Sequence, residues 1–243
     1  MELSDSFSED VGAYISASLP LFEQNAFHES IAQNWLNILY QQRAIAVIRA
    51  STLSTGHHMA DAVIAGGMQL IEVTWNSDRP ADLVRRLRAE YPHCWVGAGT
   101  ILTWDDLQDA IAAGAQFLFS PHTHPDLIQE AVRCQIPVIP GALSPTEITT
   151  AWQAGATCVK VFPANVVGGA EYLKSLQGPL GHIPLIPTGG ITLENATKYL
   201  QAGAIALGLA GSLFPAEAIA TENWTLITQR AMALMQRIHP FLA

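Results

Sequence analysis

The chain carries little charge and few lysines. Only 14% of its 243 residues are charged, and lysine occurs three times, at Lys160, Lys174 and Lys198. The formal net charge of -9 argues against a general nucleic-acid or anionic-membrane binder, because the counterion release that drives such binding needs clustered Lys and Arg. We therefore expect no nucleic-acid partner, and a lysine inside an apolar stretch is unusual enough to examine.

Cysteine and long apolar runs are scarce as well. Cys94, Cys134 and Cys158 stand far apart without a C-x-x-C pair, which is typical of reduced thiols used as core packing in a cytoplasmic protein. No uninterrupted apolar run reaches the ~18 residues of a membrane span, and the acidic N-terminus lacks the basic start of a secretory signal. These absences predict a soluble, cytoplasmic protein with no membrane partner.

The hydrophobic share of the chain is high, at 49%, and its length suits one α/β barrel. From residue 44 onward, short apolar runs recur with starts roughly 20 to 27 residues apart, about one strand, one helix and two loops each. The runs cover residues 44–50, 69–75, 95–100, 116–121, 137–141, 158–163, 184–190 and 204–211. Eight such runs predict a single (β/α)₈ TIM barrel in the α/β class.

The segments outside these runs read as helices. Residues 144–147 (Ser-Pro-Thr-Glu) combine a capping residue, a proline at the first helical position and a Glu three residues after the cap, which marks a helix start. We expect residues 28–42 to cover the barrel bottom and residues 216–240 to form one or two closing helices. Residues 1–27 are predicted to be an N-terminal extension, either flexible or an added helix, before a barrel domain of residues 28–243.

Three apolar strands each contain one charged residue: Arg49, Glu72 and Lys160. In a parallel barrel one face of each strand meets the helices and the other meets the lumen, so a charge in mid-strand has few places to go. A structural ion pair, or a strand end that reaches water, would explain any one of them. Three together favour a polar site in the lumen.

Lys160 is the candidate nucleophile. Val159 and Val161 take the opposite face of the strand and the helix layer cannot accept an ammonium, so alternation places Lys160 in the lumen, toward the end where barrel enzymes work. Burial there disfavours the charged form and leaves neutral amine able to attack a ketone. Glu72 is the candidate proton-transfer partner, and its alternative role is to be a counter-ion for Lys160 or Arg49.

Glycine-rich turns after the seventh and eighth runs predict an anion site. Barrel enzymes often bind phosphate between these two loops, where backbone N–H groups can approach the oxygens. The residues concerned are Thr188, Gly189 and Gly190 after the seventh run, and Gly211 and Ser212 after the eighth. Arg49 offers a fork of donors for a carboxylate or phosphate, and Thr100 can add a hydroxyl and a backbone donor.

With these residues in place, the chain resembles the 2-keto-3-deoxy-6-phosphogluconate (KDPG) / 4-hydroxy-2-oxoglutarate (KHG) aldolases. The similarity covers about residues 30 to 215. The motifs that carry it are Val47-Ile48-Arg49, Ile71-Glu72-Val73-Thr74, Val96-Gly97-Ala98-Gly99-Thr100, Ile139-Pro140-Gly141, Val159-Lys160-Val161-Phe162-Pro163-Ala164, Pro187-Thr188-Gly189-Gly190 and Gly211-Ser212. Seven ordered motifs at consistent spacing make the resemblance specific.

The resemblance implies a homotrimeric class I aldolase that needs no cofactor or metal and releases pyruvate from a keto-acid substrate that is phosphorylated. It implies imine formation at Lys160 and proton transfer at Glu72. By the same resemblance, Arg49 and Thr100 lie at the pyruvyl carboxylate, Pro121 and Phe162 are lumen walls, and Thr188, Gly189, Gly190, Gly211 and Ser212 face the distal phosphate.

One position departs from the family pattern. Phosphogluconate-type members usually carry arginine two residues after Glu-Val-Thr, whereas this chain has Asn76 in Trp75-Asn76-Ser77. Phosphogalactonate-type members commonly read Leu-Asn-Ser there, so Asn76 is a candidate substrate contact that favours that branch. A 2-keto-3-deoxy-6-phosphogalactonate aldolase is therefore an alternative.

Two further alternatives remain open from the residues alone. On the same fold, a phosphate-sugar isomerase or epimerase would use Lys160 only as a charge, and a non-catalytic sugar-acid sensor would keep the pocket without turnover. His122 and His124 form an H-x-H pair after the fourth run, but no third ligand is evident, so a metal site is not predicted. His57 and His58 are expected on a helix surface.

Overall fold

The computed structural model describes residues 21–242 and shows parallel strands that alternate with helices. The strands are β1 (Ala44–Ile48), β2 (Leu70–Thr74), β3 (Trp95–Gly99), β4 (Leu118–Phe119), β5 (Val138–Ile139), β6 (Gly141–Ala142), β7 (Val159–Val161), β8 (Leu185–Pro187) and β9 (Leu207–Leu209). The helices are α1 (Leu21–Gln42), α2 (Leu53–Ala65), α3 (Pro80–Glu90), α4 (Trp104–Ala112), α5 (Pro125–Arg133), α6 (Pro145–Gln153), α7 (Ala170–Leu180), α8 (Ala196–Gln201), α9 (Ala216–Ala220) and α10 (Trp224–Ile238).

The strands pair in parallel as two curled sheets. Six strands follow the order β5-β4-β3-β2-β1-β9, and three follow the order β6-β7-β8. Pro140 separates β5 from β6, where the ring leaves no N–H for a ladder hydrogen bond. A bridge between Thr188 and Gly208 connects the end of β8 to β9. The eight predicted runs therefore all contain strands of an α/β fold, with the fifth run divided in two.

Several predicted helix features are confirmed. In the capping box at α6, the Ser144 hydroxyl accepts from the Glu147 N–H, and the Glu147 carboxylate accepts from the Ser144 N–H. The predicted closing region contains α9 and α10. Helix α1 extends further toward the N-terminus than the predicted start at residue 28, and the remaining part of the predicted extension, residues 1–20, lies outside the described residues.

Apolar side chains form two separate clusters. The larger one lies between the strands and the surrounding helices. The smaller one lies inside the curled sheets and has α1 packed across its base. Its fully buried members are Trp35 and Leu39 of α1 together with Ile45, Leu70, Phe117, Phe119, Ile139, Cys158, Ile186 and Ala206, which lie in the strands or directly before them. The interior face of each strand is therefore identified by which residues join this second cluster.

Two predictions about side-chain exposure are wrong. His57 is buried where α2 faces α3, with Nε2 at 2.5 Å from Glu90 Oε2 and Nδ1 at 3.1 Å from Asp61 Oδ2, because these two carboxylates give both ring nitrogens a partner. Cys134 is exposed and is not core packing, whereas Cys94 and Cys158 are buried. In the described part of the chain, no helix is both long enough and apolar enough to cross a membrane.

Candidate active site

Lys160 points into the interior of the curled sheets, as alternation predicts. It sits in β7 two residues after Cys158 of the inner cluster, and it is 5% exposed. Its Nζ atom lies 4.8 Å from the centroid of the Phe162 ring and 5.6 Å from that of Phe119. A primary amine is thus held between two aromatic faces at the carboxyl end of the strand.

Glu72 occupies the corresponding position on β2, two residues after the buried Leu70. It is 1% exposed, and its Oε1 atom has no hydrogen-bond partner among the described residues. Burial raises the pKa of Glu72, and the nearby positive charges of Lys160 and Arg49 partly oppose that rise. A carboxyl group whose pKa is raised holds its proton more readily than a solvated one and can still release it, which suits acid–base chemistry.

One glycine on β3, Gly99, makes the space for this carboxyl group. Gly97 is the register partner of Glu72. At Gly99 a Cβ would lie only 1.8 Å from Glu72 Oε1, far inside van der Waals contact. Gly99 of the predicted motif Gly97-Ala98-Gly99 therefore has a steric reason, since any side chain there would displace the glutamate, whereas a Cβ at Gly97 would lie 2.3 Å from the Phe117 ring.

Arg49 and Asn76 lie together at the ends of β1 and β2. Both side chains are exposed, and Arg49 Nε donates to Asn76 Oδ1 at 3.2 Å, so the amide helps to orient the guanidinium. Thr100 follows β3 directly and has a φ of 60°, a left-handed backbone conformation that is uncommon for a residue other than glycine. The three residues thus follow three adjacent strands at one side of the mouth.

The loops after β8 and β9 are in contact. Thr188 is 6% exposed, its Oγ1 has no hydrogen-bond partner within the described part of the chain, and a Cβ at Gly208 would lie 2.3 Å from that oxygen. Gly189 and Gly190 have φ values of 90° and 74°, which glycine adopts without strain. Ser212 Oγ accepts from the N–H of Leu193 at 3.2 Å and joins the two loops. Gly211 precedes it and is exposed.

A cavity of about 290 Å³ adjoins the mouth on the β4 to β7 side. Its wall includes Pro121, His122, Gly141 and Phe162. The predicted lumen walls Pro121 and Phe162 therefore border one open space, and Phe162 is also the ring nearest to Lys160 Nζ.

Sequence reasoning missed Phe119, whose ring also faces the amine. The signal was available, because Phe117, Phe119 and Pro121 alternate along one strand and must share a face. Among the side chains of residues 30–242, no three His, Cys, Asp or Glu groups lie together so that they could hold a metal ion.

Comparison with known proteins places this arrangement in a family. A family model described as KDPG and KHG aldolase matches residues 36–230. The 2-dehydro-3-deoxy-phosphogluconate aldolase of Treponema pallidum (strain Nichols) is 35% identical over 199 residues, which cover 82% of this chain and 94% of the relative. The KHG/KDPG aldolase of Escherichia coli (strain K12) is 34% identical over 204 residues, with 82% and 95% covered.

A solved structure of KDPG aldolase from Legionella pneumophila, with pyruvate captured as a covalent carbinolamine intermediate, superimposes with a TM-score of 0.76. It is 32% identical, and the match covers 82% of this chain and 97% of that one. The model match spans most of the chain, and two curated relatives exceed 30% identity over most of their length. This chain belongs to the KDPG and KHG aldolase family.

Proposed function

We propose that the chain is a class I aldolase that cleaves a 2-keto-4-hydroxy acid, such as KDPG or KHG, to pyruvate and an aldehyde. The observation that carries this proposal is the buried amine of Lys160 between two aromatic rings, with the buried Glu72 carboxyl group facing the same interior. Family membership supports it independently.

In the proposed reaction the Lys160 amine attacks the C2 ketone and forms a carbinolamine. Loss of water, with a proton supplied by Glu72, gives a protonated imine. Glu72 then removes the proton of the C4 hydroxyl, the C3–C4 bond breaks, and its electron pair moves into the imine to form an enamine as the aldehyde leaves. Protonation of the enamine at C3 and hydrolysis of the imine release pyruvate and restore the amine.

The other site residues receive proposed roles in binding. Arg49 and Thr100 hold the carboxylate, and Asn76 keeps the guanidinium of Arg49 in place through the hydrogen bond between them. Pro121 and Phe162 confine the keto acid. Thr188, Gly189, Gly190, Gly211 and Ser212 receive the distal phosphate, since two φ-positive glycines and a hydroxyl lie at the contact of two loops.

The two sheets form one closed (β/α)₈ barrel in this proposal. Backbone hydrogen bonds from Thr157 N–H to the Val138 carbonyl and from Ile205 N–H to the Leu185 carbonyl, both 2.9 to 3.0 Å long, support closure across the breaks between the sheets. Residues 28–243 then form the aldolase domain, and residues 1–27 are an extension.

The assembly is proposed to be a homotrimer in the cytoplasm. Family resemblance suggests both, and exposed apolar side chains at Leu102 and Trp104, two residues apart after β3, suit a subunit contact. Light scattering after gel filtration tests the trimer, and a monomer or dimer mass would contradict it.

Borohydride trapping tests the chemistry. Incubation with pyruvate and borohydride should convert Lys160 to an N-(1-carboxyethyl)lysine, seen as an intact-mass shift that maps to the Lys160 peptide. Lys160→Met should abolish the adduct, whereas the exposed control Lys174→Met should keep it. Wild-type protein that forms no adduct would contradict the aldolase proposal.

Substrate choice is then read by coupling pyruvate release to lactate dehydrogenase. KDPG, 2-keto-3-deoxy-6-phosphogalactonate and KHG are compared at equal concentration, each against Lys160→Met. Turnover of KHG alone would overturn the phosphate role given to Gly189, Gly190 and Ser212. A clear preference for the phosphogalactonate would favour the alternative branch that Asn76 suggests.

A further inference from the structure

His122 lies in the wall of the cavity beside the mouth, together with the proposed keto-acid walls Pro121 and Phe162. Phe162 also lies against Lys160 Nζ, so this cavity and the amine share one aromatic ring. The Phe162 ring thus links the amine to the cavity wall on which His122 lies, and the mechanism above assigns no role to that histidine.

A glycine brings the His122 backbone close to the lysine strand. Gly141 is the register partner of Lys160, and residues paired in a parallel sheet point to the same face. A Cβ at Gly141 would lie 2.4 Å from the Pro121 carbonyl oxygen and 2.9 Å from the His122 nitrogen. The absence of that Cβ lets the Pro121–His122 peptide approach the interior at the level of Lys160.

Hydrogen bonds hold this turn in place. Ser120 Oγ donates to the His122 carbonyl at 2.7 Å, and Thr123 Oγ1 donates to the Gly141 carbonyl at 2.9 Å. A side chain on a backbone fixed at both sides is suited to positioning a ligand, because little conformational entropy is lost on binding.

The imidazole of His122 is free to hydrogen-bond a ligand. It is half-buried, and within the described part of the chain neither ring nitrogen has a hydrogen-bond partner; its nearest aromatic neighbour is the His124 ring, 6.1 Å away. Burial lowers the pKa of His122, and the nearby His124 lowers it further. At neutral pH the ring is therefore uncharged and offers one donor and one acceptor.

We propose, on the basis of the aldolase function above, that His122 is a specificity-determining residue that hydrogen-bonds a hydroxyl group on the aldehyde half of the substrate. A carboxylate is better served by the cationic Arg49, which follows β1, and a phosphate by the N–H-rich glycine turns after β8. A hydroxyl group both donates and accepts, as the neutral imidazole does, and the cavity beside Phe162 has room for it.

The test uses the aldol addition of pyruvate to two aldehydes that differ by one hydroxyl group. Glycolaldehyde carries a hydroxyl next to its carbonyl, and acetaldehyde does not. We measure kcat/KM for each and take the ratio. His122→Phe keeps a planar ring without nitrogens and should lower the ratio by about 2- to 10-fold, the value of one neutral hydrogen bond. His122→Asn restores a donor and an acceptor and should recover part of it.

His124→Asn is the matched control. His124 caps α5 by accepting from the Leu127 N–H, a role that Asn fills well, and it does not line the cavity. Its ratio should equal that of the wild type. If the kcat/KM ratio is unchanged in His122→Phe, or falls equally in His124→Asn, the role proposed for His122 is overturned. The aldolase function is not affected by either result. Wild-type protein that forms no borohydride adduct with pyruvate would contradict the aldolase function on which the assignment rests.

Discussion

The two ends of the interior of the curled sheets use the same strands for opposite purposes. At the closed end, Trp35 and Phe117 stack with ring centroids 4.5 Å apart, and the surrounding side chains are apolar and fully buried. At the open end, Glu72 Oε1 and Thr188 Oγ1 are buried without partners among the described residues. The closed end is apolar apart from the indole Trp35 Nε1, which also lacks a partner among the described residues, whereas the open end buries a carboxyl oxygen and a hydroxyl group.

The interior changes from apolar to polar between two successive inward-facing residues of a strand. Leu70 is followed on the same face by Glu72, Cys158 by Lys160, and Ile186 by Thr188. Burying a polar group without a partner costs about 1–3 kcal/mol, whereas burying an apolar side chain contributes about 1.5–3 kcal/mol. The closed end thus offsets the cost of the open end, and a site whose groups wait for a substrate can persist in a stable fold.

Glu72→Gln gives the largest expected effect at the open end. The amide keeps the shape of the carboxyl group but cannot exchange a proton, so kcat for pyruvate release should fall by about 10²- to 10⁴-fold. The lactate dehydrogenase assay measures it. Glu171→Gln, the same change at an exposed position of α7, should leave kcat unchanged. A Glu72→Gln enzyme that retains a tenth of wild-type kcat would remove Glu72 from the chemistry.

The stability of the same variant relative to the wild type should increase as the pH rises. Because burial raises the pKa of Glu72, the folded state binds more protons than the unfolded state above the ordinary value of 4.5, and wild-type stability falls there. Removing the titrating group removes this loss. Urea unfolding should therefore show a stability advantage of Glu72→Gln that is larger at pH 8 than at pH 4, and an advantage that shrinks with pH would contradict the burial argument.

Phe117→Ala tests the closed end. Removing a fully buried ring should lower the free energy of unfolding by about 3–5 kcal/mol, while the folded protein keeps its borohydride adduct. Phe162→Ala is the matched change at the open end. Since Phe162 is only half-buried and lies against Lys160 Nζ, it should cost less stability and more kcat/KM. If Phe117→Ala and Phe162→Ala lost equal amounts of stability and of kcat/KM, the two ends would not differ in function as proposed.

The placement of Lys160 and Glu72 was predictable because it depends on short-range rules. Alternation along a strand sends every second side chain to one face, and an ammonium among valines has only the interior to occupy. The capping box at Ser144 and Glu147 was predictable for the same reason, since its partners are three residues apart.

Features that depend on distant partners were not predictable in this way. His57 is buried because Glu90 comes from the next helix, 33 positions along the chain. The contact of Ser212 with Leu193 joins two loops, and the steric need for Gly99 appears only when Glu72 is placed opposite. Their geometry depends on how strands are registered, which one-dimensional spacing does not contain.

Gly99→Ala asks whether the open end tolerates crowding. A Cβ placed 1.8 Å from Glu72 Oε1 forces the carboxyl group to move, and a displacement of about 1 Å at a reacting group can cost on the order of 100-fold in kcat. Gly178→Ala on α7 is the control, because a Cβ there meets no atom within 4 Å. Circular dichroism confirms folding of both. A normal kcat in Gly99→Ala would show that the position of the Glu72 carboxyl group next to Gly99 is not needed for catalysis.

The smallest expected effect concerns Glu147, whose pH response should oppose that of Glu72. Backbone N–H groups of Leu143 and Ser144 hold the pKa of this exposed carboxyl group below its ordinary value of 4.5. Its contribution is present above pH 4.5 and is lost as the pH falls through the lowered folded-state pKa. Glu147→Gln should therefore lose a fraction of a kcal/mol at pH 7, discounted for solvent exposure, and nothing at low pH, as measured by urea unfolding. The stability of Glu72→Gln relative to the wild type should rise with pH, and that of Glu147→Gln should fall. If both changed in the same direction, burial of Glu72 and capping by Glu147 would not explain their opposite pKa shifts.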